Sequence, residues 1–88
     1  MLEQINLIKS IRALITRRQF HMLTIFHDNN CNIGNTCLDL NLPQRCVGMM
    51  LQRVDKRLPA DFFIESEIKT KQRFRNVIGI NDKYLEGV

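Results

Sequence analysis

A chain of 88 residues makes one small domain, residues 1–88, too short to enclose a large substrate cavity. Its 44% hydrophobic and 25% charged content excludes a disordered chain, and no apolar run approaches the roughly 18–20 residues that cross a bilayer, so no membrane partner is expected. Thirteen Lys and Arg against nine Asp and Glu give a net charge of +4, which favours a polyanionic partner.

Leu2, Ile5, Ile8, Ile11, Leu14 and Ile15 recur at helical spacing and predict an amphipathic first helix over about residues 2–15. Glu3 and Lys9 interrupt any apolar leader, so no secretory signal is expected. Thr16 with Gln19 three residues on forms a capping-box pattern, opening a second helix that runs through Phe20, Leu23, Thr24, Phe26 and His27. Asp28, Asn29 and Asn30 are turn formers that stop it. Asn32 is the expected N-cap of a short third helix carrying Ile33, Thr36, Cys37 and Leu40 on one face. Asn41, Leu42 and Pro43 redirect the chain into a fourth helix ending near Leu58, with Val47, Met50, Leu51, Val54 and Leu58 as its apolar stripe. Phe62, Phe63, Ile64 and Ile68, then Phe74, Val77, Ile78 and Ile80, predict a β-hairpin with strands near 62–68 and 73–80 and a basic tip. Lys83 to Leu85 fit one further helical turn. The fold expected is α+β: a winged helix-turn-helix of three to four helices followed by a β-hairpin wing.

The third and fourth helices carry the functional expectation. Cys37 is small enough for a helix crossing, and Leu40 and Leu42 are apolar enough to turn inward. The fourth helix then leaves Pro43, Gln44, Arg45, Gly48, Met49, Gln52 and Arg53 on its outer face. Glutamine can bond an adenine edge and arginine a guanine edge in the major groove, while a glycine allows close approach. Of the adjacent methionines, Met50 shares the apolar stripe, which leaves Met49 outward. The hairpin tip gathers Lys69, Lys71, Gln72, Arg73 and Arg75 without a carboxylate, a composition suited to phosphates. Arg17 and Arg18 are weaker phosphate candidates.

In order and spacing these segments resemble winged-helix regulators of the MarR type. Residues 14–20 with Leu23 look like the family's Leu-Thr-x-x-Gln helix start. Ile33, Cys37, Leu40 and Leu42 look like its helix leading to the turn, and residues 43–54 like its recognition helix. Lys71, Gln72 and Arg73, then Val77, Ile80, Asn81 and Lys83, are similar to its wing and exit. The resemblance implies a regulator of transcription, a small repressor that contacts double-stranded DNA with residues 43–57 in the major groove. The wing, 69–75, would lie on the backbone or minor groove, with Arg73 as its reaching arginine. Two departures stand out: Lys71 replaces the family's wing Asp, and Leu58-Pro59-Ala60-Asp61 replaces the glycine that closes the recognition helix. The family's C-terminal dimerisation helices have no counterpart, so a homodimer through the first helix is expected.

Other chemistries find little support. His27, Cys31 and Cys37 do not follow a zinc spacing, and no metal or cofactor is expected. The three cysteines, Cys31, Cys37 and Cys46, are an odd number, read as reduced thiols in a cytoplasmic protein. Glu65 and Glu67 alternate on a strand and read as a solvated face. No phosphate loop or nucleophilic constellation is present, so a non-enzyme is expected. The competing expectation is a winged-helix protein-interaction module, an adaptor or modulator of host, replication or segregation machinery.

Overall fold

A computed structural model describes residues 4–68 and 70–87. In chain order it contains α1 (Lys9–Arg12), α2 (Arg17–Asp28), α3 (Ile33–Leu40), α4 (Gln44–Asp55), β1 (Phe63–Glu65) and β2 (Val77–Ile80). A single 3-10 turn lies between the strands at Arg73–Arg75 and another after β2 at Asp82–Tyr84. The architecture is α+β, four helices and a two-stranded antiparallel hairpin, an arrangement compatible with a winged helix.

The helices begin and end where local chemistry sets them. Thr16 Oγ1 accepts from the Gln19 amide at 3.1 Å, and Gln19 Oε1 accepts from the Thr16 amide at 2.9 Å, closing the capping box of α2. At its far end Asn30 enters the left-handed region (φ 54°), and the Cys31 amide donates back to the Phe26 carbonyl at 2.8 Å. With the Asn30 amide on the His27 carbonyl this forms a Schellman motif. Asn32 Oδ1 caps α3 through the Asn35 amide at 2.9 Å. Asn41 (φ 53°) ends α3 by the same left-handed device, with the Leu42 amide on the Cys37 carbonyl at 3.1 Å. Pro43, extended, is the N-cap of α4, so only three residues separate α3 from α4.

Val47, Leu51 and Val54 of α4 are fully buried in one core with Phe20, Leu23 and Phe26 of α2 and Phe62 and Phe63 at the hairpin base. Phe63 stands edge-on to Phe26, Phe62 and Phe74, with ring centroids 6.2, 5.0 and 6.0 Å away. Such edge-to-face contacts add about 0.5–1.5 kcal/mol each beyond area burial, and they fasten the hairpin base to the helices. Met50 packs half-buried at this core while Met49 points outward, as their stripe positions predict.

The first segment departs from expectation. It is extended over residues 4–8 and helical for one turn only, in α1. Ile5 and Leu7 are buried while Gln4 and Asn6 are exposed, a two-residue period. Leu7 bridges Leu85 in antiparallel pairing, the Ile8 amide donates to the Tyr84 carbonyl at 3.0 Å, and the Glu86 amide donates to the Asn6 carbonyl at 2.9 Å. Thr24 Oγ1 receives the Ile5 amide at 3.3 Å, pinning the segment across α2. Of the apolar residues on which a dimer through this helix was expected, Ile5 and Ile11 are buried in the chain's own core, Ile8 and Ile15 pack half-buried against it, Leu14 is 42% exposed, and Leu2 lies outside the described residues.

The hairpin is shorter than expected. Pairing covers Phe63 with Ile80, Ile64 with Gly79 and Glu65 with Val77, with an irregularity between Ile64 and Glu65. The strand expected over 73–80 opens instead as the Arg73–Arg75 turn, and β1 ends at Glu65, so Glu65 and Glu67 do not share a strand face. Within α3, Thr36 is the fully buried residue and donates to the Asn32 carbonyl at 2.7 Å, whereas Cys37 is half-buried. Helix α4 stops at Asp55, three residues short of Leu58.

Candidate functional site

Two rows of side chains run along the outer side of α4. Gln44, Gly48, Gln52 and Lys56 stand four apart, and Arg45, Met49 and Arg53 form the adjacent row. The first row faces the segment joining the two strands, residues 66–76. Between them lies an open groove of about 810 Å³. Its helix side presents Gln44, Arg45, Gly48, Gln52, Asp55 and Lys56, and its hairpin side Lys71, Gln72, Arg73, Phe74 and Arg75, with Ile33 of α3 also lining it. Residues far apart in sequence are therefore brought to one concave surface.

Asn76 shapes the joining segment. It is buried, and its Oδ1 accepts from the Thr70 amide at 2.7 Å and the Thr70 hydroxyl at 2.9 Å. Its Nδ2 donates to the Thr70 carbonyl at 3.1 Å, and its backbone carbonyl accepts from the Ser66 amide at 2.7 Å. One side chain thus does the work of a backbone ladder that the irregular segment lacks. Phe74, also buried, anchors the same segment in the aromatic cluster.

The charges divide into two kinds. Arg73 Nε donates to Glu65 at 3.0 Å, and its other guanidinium nitrogen is paired with Asp55. Partial burial opposes its charge, but the hydrogen bonds from Glu65 and Asp55 outweigh this and hold the guanidinium more firmly protonated. Because Asp55 belongs to α4 and Glu65 to β1, Arg73 clamps helix to hairpin. The arginine expected to reach toward DNA has its charge directed at two carboxylates. Among the described residues, Arg45, Lys56, Lys71 and Arg75 make no ion pair. Arg75 Nε donates to Gln72 Oε1 at 2.5 Å, which orders the hairpin rim.

The remaining expected residues fall elsewhere. Pro43 is exposed at the N-terminus of α4, and Met49 is 47% exposed beside the groove. Arg53 lies on the other flank of α4, in a shallow recess with Thr16, Arg18, Gln19 and Met50. Arg18 also lines an adjoining recess with Arg12, Arg17 and His21, where the Arg12 guanidinium lies 3.7 Å over the Phe20 ring. Lys69 lies outside the described residues. Asp55 and Asn76, which set the groove's shape, carried no sequence signal, since their partners lie in a segment without periodicity.

The three cysteines are free: Cys31 buried, Cys37 half-buried and Cys46 exposed on α4. Among the described residues no three His, Cys, Asp or Glu side chains gather as a metal site, and no helix is long and apolar enough to cross a membrane. Comparison with protein-family models, with curated proteins and with solved structures found no match to this chain.

Proposed function

We propose that this chain is a sequence-specific double-stranded DNA-binding protein of winged-helix type, acting as a transcriptional regulator. In this reading α4 is the recognition helix and the segment 66–76 is the wing. The observation that carries it is the groove in which Gln44, Arg45 and Gln52 stand opposite Lys71 and Arg75. Hydrogen-bonding side chains suited to base edges and cations suited to phosphates share one concave surface. Placing α4 in the major groove brings Arg45 and Gln52 to base edges and leaves the wing over the flanking backbone. A two-fold operator would then be read by two copies.

Fluorescence anisotropy on a random-sequence duplex at low salt, followed by selection of bound sequences from a random pool, tests the proposal. The expected result is salt-dependent binding to the random duplex and a selected motif. Arg45→Ala should relax preference at one base pair by about 1–3 kcal/mol. No retention at low salt refutes the assignment.

A second reading has one observation in its favour. Ile64, Ile68 and Ile78 are 43%, 85% and 60% exposed on and beside the hairpin. Exposed isoleucines on the hairpin suit a protein-interaction module better than a surface meant only for solvent. Under that reading, binding to the random duplex is absent and Ile78→Lys changes partner capture without touching the fold.

A further inference from the structure

Gly48 occupies the interior of α4, where glycine costs a helix about 1 kcal/mol relative to alanine. Such a cost is usually offset by close packing, and none is found. A Cβ built at Gly48 meets nothing within 4 Å. The glycine is instead the gap in the row Gln44, Gly48, Gln52, Lys56 that lines the groove. Its missing side chain leaves a notch flanked by two glutamines, with Arg45 beside it and Lys71 and Arg75 across from it. A notch in a helix face, bordered on both sides by cations that make no ion pair among the described residues, fits a thin polyanion passing between helix and hairpin.

We infer that the groove seats the sugar-phosphate backbone of one strand of the duplex, and that the strand crosses α4 at Gly48. Successive phosphates lie between Lys56 on the helix side and Lys71 and Arg75 on the wing side, while Arg45, on the adjacent helix row, keeps the base-edge role given to it above. Gly48 is a positioning residue: it makes no contact of its own and sets how closely the strand approaches α4. The Arg73 clamp to Asp55 and Glu65 fixes the width of the seat. This inference rests on the DNA-binding reading above and adds to it which part of the duplex enters the groove.

The test is a comparison of Gly48→Ala and Gly48→Leu with the unaltered protein, by thermal melting and by anisotropy on a random-sequence duplex over a salt series. Both substitutions replace the poorest ordinary helix former with a good one, and the Cβ that each adds meets nothing within 4 Å on the side of the open groove. Gly48→Ala should raise the melting temperature by about 4–8 °C. Gly48→Leu should melt no lower than the unaltered protein, yet bind duplex at least tenfold more weakly. Its dependence of log affinity on log salt should be shallower, because phosphates held out of the groove no longer release counterions. A merely structural glycine would move stability and binding together and leave the salt slope alone. If Gly48→Leu binds with unchanged affinity and slope, the strand does not cross there, and the DNA-binding reading stands without it. Melting of both variants well below the unaltered protein would make the glycine structural and overturn the inference. Absence of duplex binding by the unaltered protein would overturn the DNA-binding reading itself and this inference with it.

Discussion

Cys31 is a thiol placed where its ionisation is unfavourable. It is 5% exposed with a left-handed backbone (φ 62°), a conformation that costs a non-glycine residue about 1–2 kcal/mol. Burial raises its pKa from the ordinary 9.0 to about 11. A raised folded-state pKa means the folded chain keeps a proton that the unfolded chain has lost. The associated stability is whole below about pH 9 and drains away as pH climbs toward 11. The loss should reach about 2–3 kcal/mol, and Cys31→Ala should flatten urea-unfolding free energies over that interval. Native-state alkylation should accordingly reach Cys46 first and Cys31 only after unfolding. Arg73 yields a contrasting expectation. Its charge faces Asp55 and Glu65, so Arg73→Gln should weaken duplex binding by loosening the seat while leaving the salt slope nearly unchanged. Lys71→Gln should lower that slope by about one. Equal slope changes in the two variants would place Arg73 on phosphate after all.

Among the elements, those defined by their own residues were legible. The Thr16 box, the Asn32 cap and the stripe Val47, Leu51, Val54 announce α2, α3 and α4 because cap and stripe lie within one element. The first segment misleads because two periods overlap in it. Ile5, Ile8 and Ile11 stand three apart, while Gln4, Ile5, Asn6 and Leu7 alternate. Pairing with residues 84–86, nearly eighty positions away, decides for the extended form, and no local signal reports such a partner. Row Gln44–Gly48–Gln52 was readable from helical spacing alone, but the groove that gives it meaning was not. That groove depends on Asn76 folding the wing against Thr70 and on Asp55 meeting Arg73. Asn76→Ala strands the polar groups of Thr70 that it satisfied, at a cost of about 1–3 kcal/mol. Limited proteolysis should then cut within 66–76 well before the helices, and an unaltered cleavage pattern would show that Phe74 and the Arg73 clamp hold the segment without Asn76.

At the scale of the molecule, cations continue past the groove. Arg53 shares a recess with Arg18, and Arg18 shares the next with Arg17 and Arg12. Together with Lys71, Arg75, Arg45 and Lys56 they form a basic track from the wing, over α4, to the N-terminus of α2. The molecule measures 31 × 30 × 21 Å, so a track across one face matches about one turn of duplex, roughly 34 Å. A duplex with α4 in its major groove has phosphate strands on both flanks of that groove. The wing side would hold one strand, and Arg17, Arg18 and Arg53 would meet the other. The triple variant Arg17→Gln, Arg18→Gln, Arg53→Gln separates this two-flank footprint from a one-flank one. Thr16 and Gln19 retain the cap of α2, so the fold should survive, as a thermal melt would verify. Two flanks require the salt slope to fall by about 2–3 and affinity to drop on every sequence alike, since phosphate contacts carry no base preference. An unchanged slope would confine the duplex to the wing side of α4 and leave the three arginines as solvated surface.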